Sequence, residues 1–250
     1  MLTDAHCHPY DLHPCFPAAE DQRQRMGVMC AASSTALEEF EFCERILQLG
    51  NTGMLLCFAV HPQYQGTDIK EQTAVLEMLA KQGRLAVVGE TGFDLFNTKY
   101  KATEKMQEEL FSIHLETALQ YDLPVVVHVR RAMHRIFAHA AALKKCKTVI
   151  FHSWSGTESE GEALLRRGIN AFFSFGTPIL LNHREVMRCC TRFPADRLLT
   201  ETDAPFQPLR GREFSCYADL AEIITAMESL RGETGMEGVI EDNFRAAFGC

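Results

Sequence analysis

The sequence predicts a single-domain (β/α)8 barrel, a TIM barrel, over residues 1–250, with an extra C-terminal helix. Three observations predict it. Eight short apolar runs each lead into a helical pattern, the runs are apolar enough for strands buried on both faces, and no linker-like or low-complexity stretch divides the chain. At 250 residues and 46% hydrophobic content, one large core can be buried.

Residues 1–8 form the first strand, with Asp4, His6 and His8 at every second position and therefore on one face. A helical pattern over 14–26 ends at Gly27, and residues 28–32 are the second strand. Thr35, with Glu38 three residues on, reads as the capped start of a helix running to Gly50. Residues 54–60 are the third strand, ending in His61-Pro62, and the helix over 69–82 stops at Gly83. Residues 85–88 deliver Gly89-Glu90-Thr91-Gly92-Phe93-Asp94 as the fourth strand ends. Thr103 caps a long amphipathic helix to 121. The fifth strand (124–128) has its helix over 132–145, and the sixth (148–152) over 158–167, stopped by Gly168. The seventh (171–176) is followed by a helix over 182–193, and the eighth (198–203) by helices over 217–230 and 240–248.

In such a barrel the reactive end is the carboxyl rim of the strands. The unusual polar residues all fall there: His6 and His8 on strand 1, His61 on strand 3, Glu90 on strand 4, His128 on strand 5, His152 on strand 6 and Asp203 on strand 8. One histidine ending an apolar strand is more often a hydrogen-bonded core residue. Seven such residues on one rim are not explained by packing, because buried charge without a partner or a metal is costly. The four imidazoles of His6, His8, His128 and His152 with the two carboxylates exceed what one zinc-like ion needs and suit two divalent ions, Zn2+, Mn2+ or Mg2+. Glu90 is central enough to bridge them, with His6, His8 and Asp203 around one ion and His128 and His152 around the other. A hydroxide between the ions would be the nucleophile, and Asp203 could accept its proton. Asp4, one step deeper on the same face, reads as a support below the metal. Cys7 faces away and packs.

Asp4-Ala5-His6-Cys7-His8, His61-Pro62, Gly89 to Asp94, residues 124–130 with their His-x-Arg, His152-Ser153-Trp154-Ser155-Gly156 and Glu201-Thr202-Asp203-Ala204-Pro205 together resemble the TatD family of metal-dependent deoxyribonucleases. That family lies within the amidohydrolase-type barrels, and the likeness runs in order along nearly the whole chain. It implies a divalent-metal phosphodiesterase on DNA, single-stranded or damaged, working as a 3′-to-5′ exonuclease. Carried over by position, His6, His8, Glu90 and Asp203 serve one metal, and Glu90, His128 and His152 the other. His61 and Glu201 then stand near the phosphate or behind the ligands. Two features depart from the family pattern. Ser153-Trp154 stands where Cys-Phe is common, and the loop after Asp203 is shorter and lacks the Arg-Asn-x-Pro segment. Trp154 is either a stacking platform for a base or a filler of the barrel mouth.

Arg130, two residues past a metal ligand, can clamp a phosphate bidentately. The formal charge of −8 argues against a broad nucleic-acid-binding surface but not against a local basic rim. The alternative substrates for the same metals are esters, lactones or amides, including aminoacyl esters on tRNA. Ten cysteines include no CxxC pair and fit a reduced, cytoplasmic setting. No apolar run approaches a bilayer span, no leader-like segment precedes the first motif, and nothing points to an obligate protein partner.

Overall fold

The computed structural model describes residues 1–50, 52–66 and 68–250. Its strands are β1 Thr3–Cys7, β2 Met29–Ala32, β3 Met54–Phe58, β4 Val87–Asp94, β5 Val125–Arg130, β6 Val149–Phe151, β7 Ala171–Phe175 and β8 Leu198–Thr200. Each pairs in parallel with the next. Just beyond β8 the ring closes on β1. The Asp203 amide donates to the His6 carbonyl at 2.9 Å, and the His8 amide to the Ala204 carbonyl at 2.7 Å. The (β/α)8 barrel is therefore closed by the segments that carry three of the expected ligands.

Ala5, Ala31, Cys57, Val87, Val126, Ile150, Phe172 and Leu199, one from each strand, meet in one apolar cluster. Residues of all eight strands can meet only inside the ring. Phe244, Ala247 and Phe248 of the last helix join them. Asn243 fixes that helix beneath the barrel by donating to the Leu198 carbonyl, at the start of β8, at 2.8 Å. The extra C-terminal helix is thus a plug for the amino-terminal end, and the carboxyl end is left uncovered. A larger core, including Phe58, Val88, Phe111 and Leu220, fills the layer between strands and helices.

The helices follow the expected order with local corrections. In place of one helix over 14–26 there are α1 Pro9–Cys15 and α2 Ala19–Met26. Pro17 disfavours helical geometry at Phe16, which leaves the helical region at φ −144° and ψ 83° and breaks the run. α3 Leu37–Gln48 starts two residues after Thr35, because Glu39 and not Glu38 reaches back to the Thr35 amide, at 2.6 Å. α4 is Ile69–Lys81, and α5 Thr98–Lys101 is a short unforeseen helix capped by Asn97. Thr103 precedes α6 Glu104–Gln120, but its hydroxyl donates to the Tyr100 carbonyl at 3.0 Å and caps nothing. α7 Met133–Ala138 and α8 Ala140–Leu143 replace the single helix expected over 132–145. α9 Glu158–Arg166 carries a Thr157–Glu160 capping box. α10 Arg184–Arg192, α11 Asp219–Arg231 and α12 Met236–Phe248 complete the set, the last beginning four residues earlier than expected. No helix among the described residues is long and apolar enough to cross a membrane.

Two strands break register. β1 shifts against β2 between Asp4 and Cys7, and β4 against β5 between Val88 and Thr91. Each irregularity holds a predicted metal ligand, His6 in the first and Glu90 in the second. Such irregularities re-aim side chains that strict alternation would send elsewhere. Just past the second, where the pairing is regular again, the backbone leaves no room for bulk: a Cβ on Gly92, at φ +139°, would collide with the His128 carbonyl oxygen.

Candidate active site

The predicted ligands converge at the carboxyl rim. His6 lies in β1 and His8 just past it, Glu90 in β4, His128 in β5, His152 just past β6 and Asp203 beyond β8. His6, His8, Glu90, His152 and Asp203 are buried, and His61 and His128 are partly so. The centre is Glu90. Its Oε1 lies 2.6 Å from His128 Nδ1, 2.7 Å from His152 Nε2 and 3.2 Å from His61 Nε2. Its Oε2 lies 3.2 Å from His6 Nε2 and 3.8 Å from His8 Nε2. Asp203 Oδ1 stands 3.6 Å from His6 Nε2 and 3.5 Å from His8 Nε2, and those two nitrogens are 3.0 Å apart.

These spacings fit a cation. Two ligand atoms about 2.0–2.1 Å from one ion at the tetrahedral angle lie about 3.3–3.4 Å apart. The His6, His8 and Asp203 atoms, at 3.0, 3.5 and 3.6 Å, have that spacing. His6, Glu90 and His152 form a second such group, and His61, Glu90 and His128 a third. The ionisation of the set points the same way. Burial works against a charged Glu90, yet His152, His61 and His6 hold its carboxyl well below the ordinary range. Burial also works against charge on His8, His128 and His152. There Asp203 for His8, Asp94 and Glu90 for His128, and Glu90 and Glu201 for His152 outweigh it and raise them. At His6 burial prevails, helped by His152, and lowers it. The buried carboxylates thus favour protons on His8, His128 and His152, and a divalent ion held by the same atoms would take the place of those protons.

Neighbours hold the ligands in place. Asp4 does not simply share the His6 face. Ala5 joins the inner cluster while Cys7, two residues on, packs in the outer core, so alternation fails between them. Asp4 accepts from the Thr202 amide at 2.9 Å and hydroxyl at 2.6 Å and from the His6 amide at 3.3 Å, bracing the seam between the first and last strands. Glu201 accepts from the Ser174 hydroxyl, and its Oε1 faces His152 Nδ1 at 3.7 Å. At that distance the two buried atoms are not hydrogen-bonded and each is left without a partner, but the carboxylate stands behind the imidazole, where one that orients a ligand is placed.

A cavity of about 930 Å³ opens over this centre, lined by His8, Glu90, His128, Arg130, Asp203 and Phe206 among others. Arg130 is exposed and stacks on Phe96, its guanidinium carbon 3.7 Å from the ring centroid. Trp154 also lines the cavity but is only 1% exposed, packed edge-on against Phe151 and Phe173. That leaves almost no surface for a base, so of its two readings the filling one matches the geometry.

Four contributors were not foreseen. Asp94 accepts from Gln63 at 2.7 Å and faces His128 Nε2 at 3.3 Å. Burial opposes its charge, but the bonds from His128, the Phe96 amide and Gln63 bring its carboxyl down to about 2. It closes the quoted Gly89–Asp94 motif, and a second carboxylate four residues after a ligand was the available signal. Gln207 donates to Asp203 at 2.7 Å and to Ser153 at 2.9 Å. Asp203 and Ser153 both take the left-handed backbone region, at φ 52° and 44°. For non-glycine residues this costs about 1–3 kcal/mol and persists where surrounding bonds fix it. His114, fully buried in α6, accepts the Val60 amide at 3.1 Å and meets the Thr91 hydroxyl at 2.6 Å, joining the third and fourth strand ends. Phe206 lies in the short loop that departs from the family pattern.

A barrel with buried histidine and carboxylate groups at its open rim defines the metal-dependent hydrolase class. The chain belongs to the TatD related DNase family, whose model matches residues 3–249. A Pantoea vagans protein named 3′-5′ ssDNA/RNA exonuclease TatD is 31% identical over 89% of this chain and 98% of its own length. The Escherichia coli K12 protein named uncharacterized metal-dependent hydrolase YcfH is 27% identical over 99% and 96% of the two chains. In fold, the chain is similar to the crystal structure of YjjV, a TatD homologue from Escherichia coli K12. The TM-score is 0.84 with 24% identity, covering 100% of this chain and 98% of that one.

Proposed function

We propose that the protein is a two-metal phosphodiesterase that removes nucleotides from the 3′ end of single-stranded or damaged DNA, and of RNA where it is presented as a single strand. The observation that carries this reading is the division of Glu90: one carboxylate oxygen faces His128, His152 and His61, the other His6 and His8. His6, His8, Asp203 and Glu90 would hold one divalent ion, and Glu90, His128 and His152 the second. Zn2+, Mn2+ and Mg2+ are the candidates. Bound there, such ions supply an activated water and offset the charge of the phosphate.

The chain's own residues supply the rest. Asp203 Oδ1, close to both His6 and His8, takes the proton from the attacking water, while Gln207 holds its other oxygen. Glu201 orients His152. His61, on the Glu90 side of the cavity, and Arg130 at its wall bind the phosphate, Arg130 with its plane fixed against Phe96. The ten unpaired thiols suit a reducing cytoplasm.

A second reading, hydrolysis of small esters, lactones or amides or of aminoacyl esters on tRNA, is favoured by one observation. Among the described residues lining the cavity, Arg130 is the sole Lys or Arg. Release of labelled nucleotide from 3′-labelled single-stranded DNA with Mg2+, Mn2+ or Zn2+ separates the two. Metal-dependent release is expected, and a metal-loaded protein that releases nothing while hydrolysing a simple ester would establish the second reading.

A further inference from the structure

Among the described residues, the large apolar side chains left exposed are Met1, Leu49, Phe96, Leu119 and Phe206. Only Phe206, at 48% exposed, lines the cavity over the metal-ligand groups. Its ring centroid lies 5.1 Å from that of His8, with the planes at 78°. The backbone that carries it is held in place. The Pro205 carbonyl accepts from the Ser215 amide at 3.1 Å, the Phe206 carbonyl from the Ser215 hydroxyl, and the Gln207 carbonyl from the Thr177 hydroxyl at 2.7 Å. Three consecutive carbonyls are thereby fixed, with Phe206 in the middle. A phenyl ring carried on a fixed main chain beside a metal-binding imidazole, yet left wet, binds a flat apolar partner without any ordering of the backbone.

We propose that Phe206 is the stacking platform for the nucleobase next to the phosphate held at the His6, His8, Glu90 and Asp203 group. This rests on the nucleic-acid reading above. Every base has a π-face, so such a platform tolerates sequence, and a base already stacked within a duplex must first be splayed out to reach it. Phe206 therefore selects for unstacked ends, with Arg130 taking the phosphate from another wall of the same cavity.

The test is the affinity of metal-loaded protein for a short, 5′-fluorescein-labelled single-stranded DNA, its 3′-terminal linkage blocked as a phosphorothioate, against the same DNA with an abasic 3′ residue. Phe206→Ala should weaken binding of the base-bearing DNA by at least about fivefold and leave the abasic DNA unchanged. Phe206→Trp should restore the difference, whereas Phe206→Leu, apolar but without a π-face, should not. Equal loss on both DNAs, or no loss on either, overturns the platform. Cleavage of the unblocked DNA by the wild-type protein is measured alongside. Base-dependent binding without cleavage retains the platform and defeats the nuclease reading; cleavage without base dependence does the reverse. A wild-type protein that binds neither DNA overturns both.

Discussion

At the amino-terminal end of the barrel, one apolar side chain from each strand packs against Phe244, Ala247 and Phe248 of α12. At the carboxyl end, a few residues further along the same strands, His6, Glu90 and His128 face one another beneath an open cavity. The floor is held mainly by burial, which needs no specific partner, with Asn243 as its polar tie to β8. The rim consists of polar groups that would be costly there without partners, and braces stand behind them. Asp4 is tied to Thr202, Thr91 to His114, and Glu201 to Ser174. Stability and chemistry are thus separated along one set of strands, and perturbations should sort by the end they strike.

Acid should separate the ends most widely. Burial pulls His114 from 6.5 down to about 3. As the pH falls, the unfolded chain therefore takes up this proton first. The stability tied to neutral His114 is complete above about pH 6.5 and drains away between there and about pH 3, by up to roughly 5 kcal/mol. Urea unfolding across this window should show a shallower loss in His114→Gln, and parallel curves for variant and wild type would remove His114 as a brace. Phe244→Ala, at the floor, should cost roughly 3–5 kcal/mol at every pH. Metal bound per folded molecule should not change; a fall in metal content would show that the ends are coupled. Gly92→Ala should lower kcat by about tenfold or more, since its methyl must displace the His128 backbone and 1 Å misplacements cost that much or more. A variant of unchanged kcat would mean that β5 yields freely. The smallest effect is expected from Arg130→Ala, a weaker substrate affinity whose salt slope falls by about one. An unchanged salt dependence would remove Arg130 from the phosphate site.

The rim residues were legible in the sequence because histidines and carboxylates ending apolar strands are conspicuous, and a barrel gathers strand ends by construction. What alternation could not give was the facing of Asp4 and Ala5, or the way Glu90 turns inward three residues after Val87, because both depend on register shifts set by neighbouring strands. Capping was misread at Thr35 and Thr103 for a related reason. Glu39 and the Tyr100 carbonyl competed for those side chains, and composition does not reveal the winner. His114 was hidden on a helix among apolar positions, where only its contact with Val60 and Thr91 gives it a role. Trp154 was visible as the lone tryptophan, but its burial depends on Phe151 and Phe173 from two strands.

The most direct test of the metal centre is elemental analysis of the protein purified without chelators, beside its Glu90→Ala variant. The shared-carboxylate arrangement predicts two divalent ions per wild-type chain, and loss of bound metal together with nuclease activity in Glu90→Ala. A Glu90→Ala protein that keeps both its metal and its activity would contradict it.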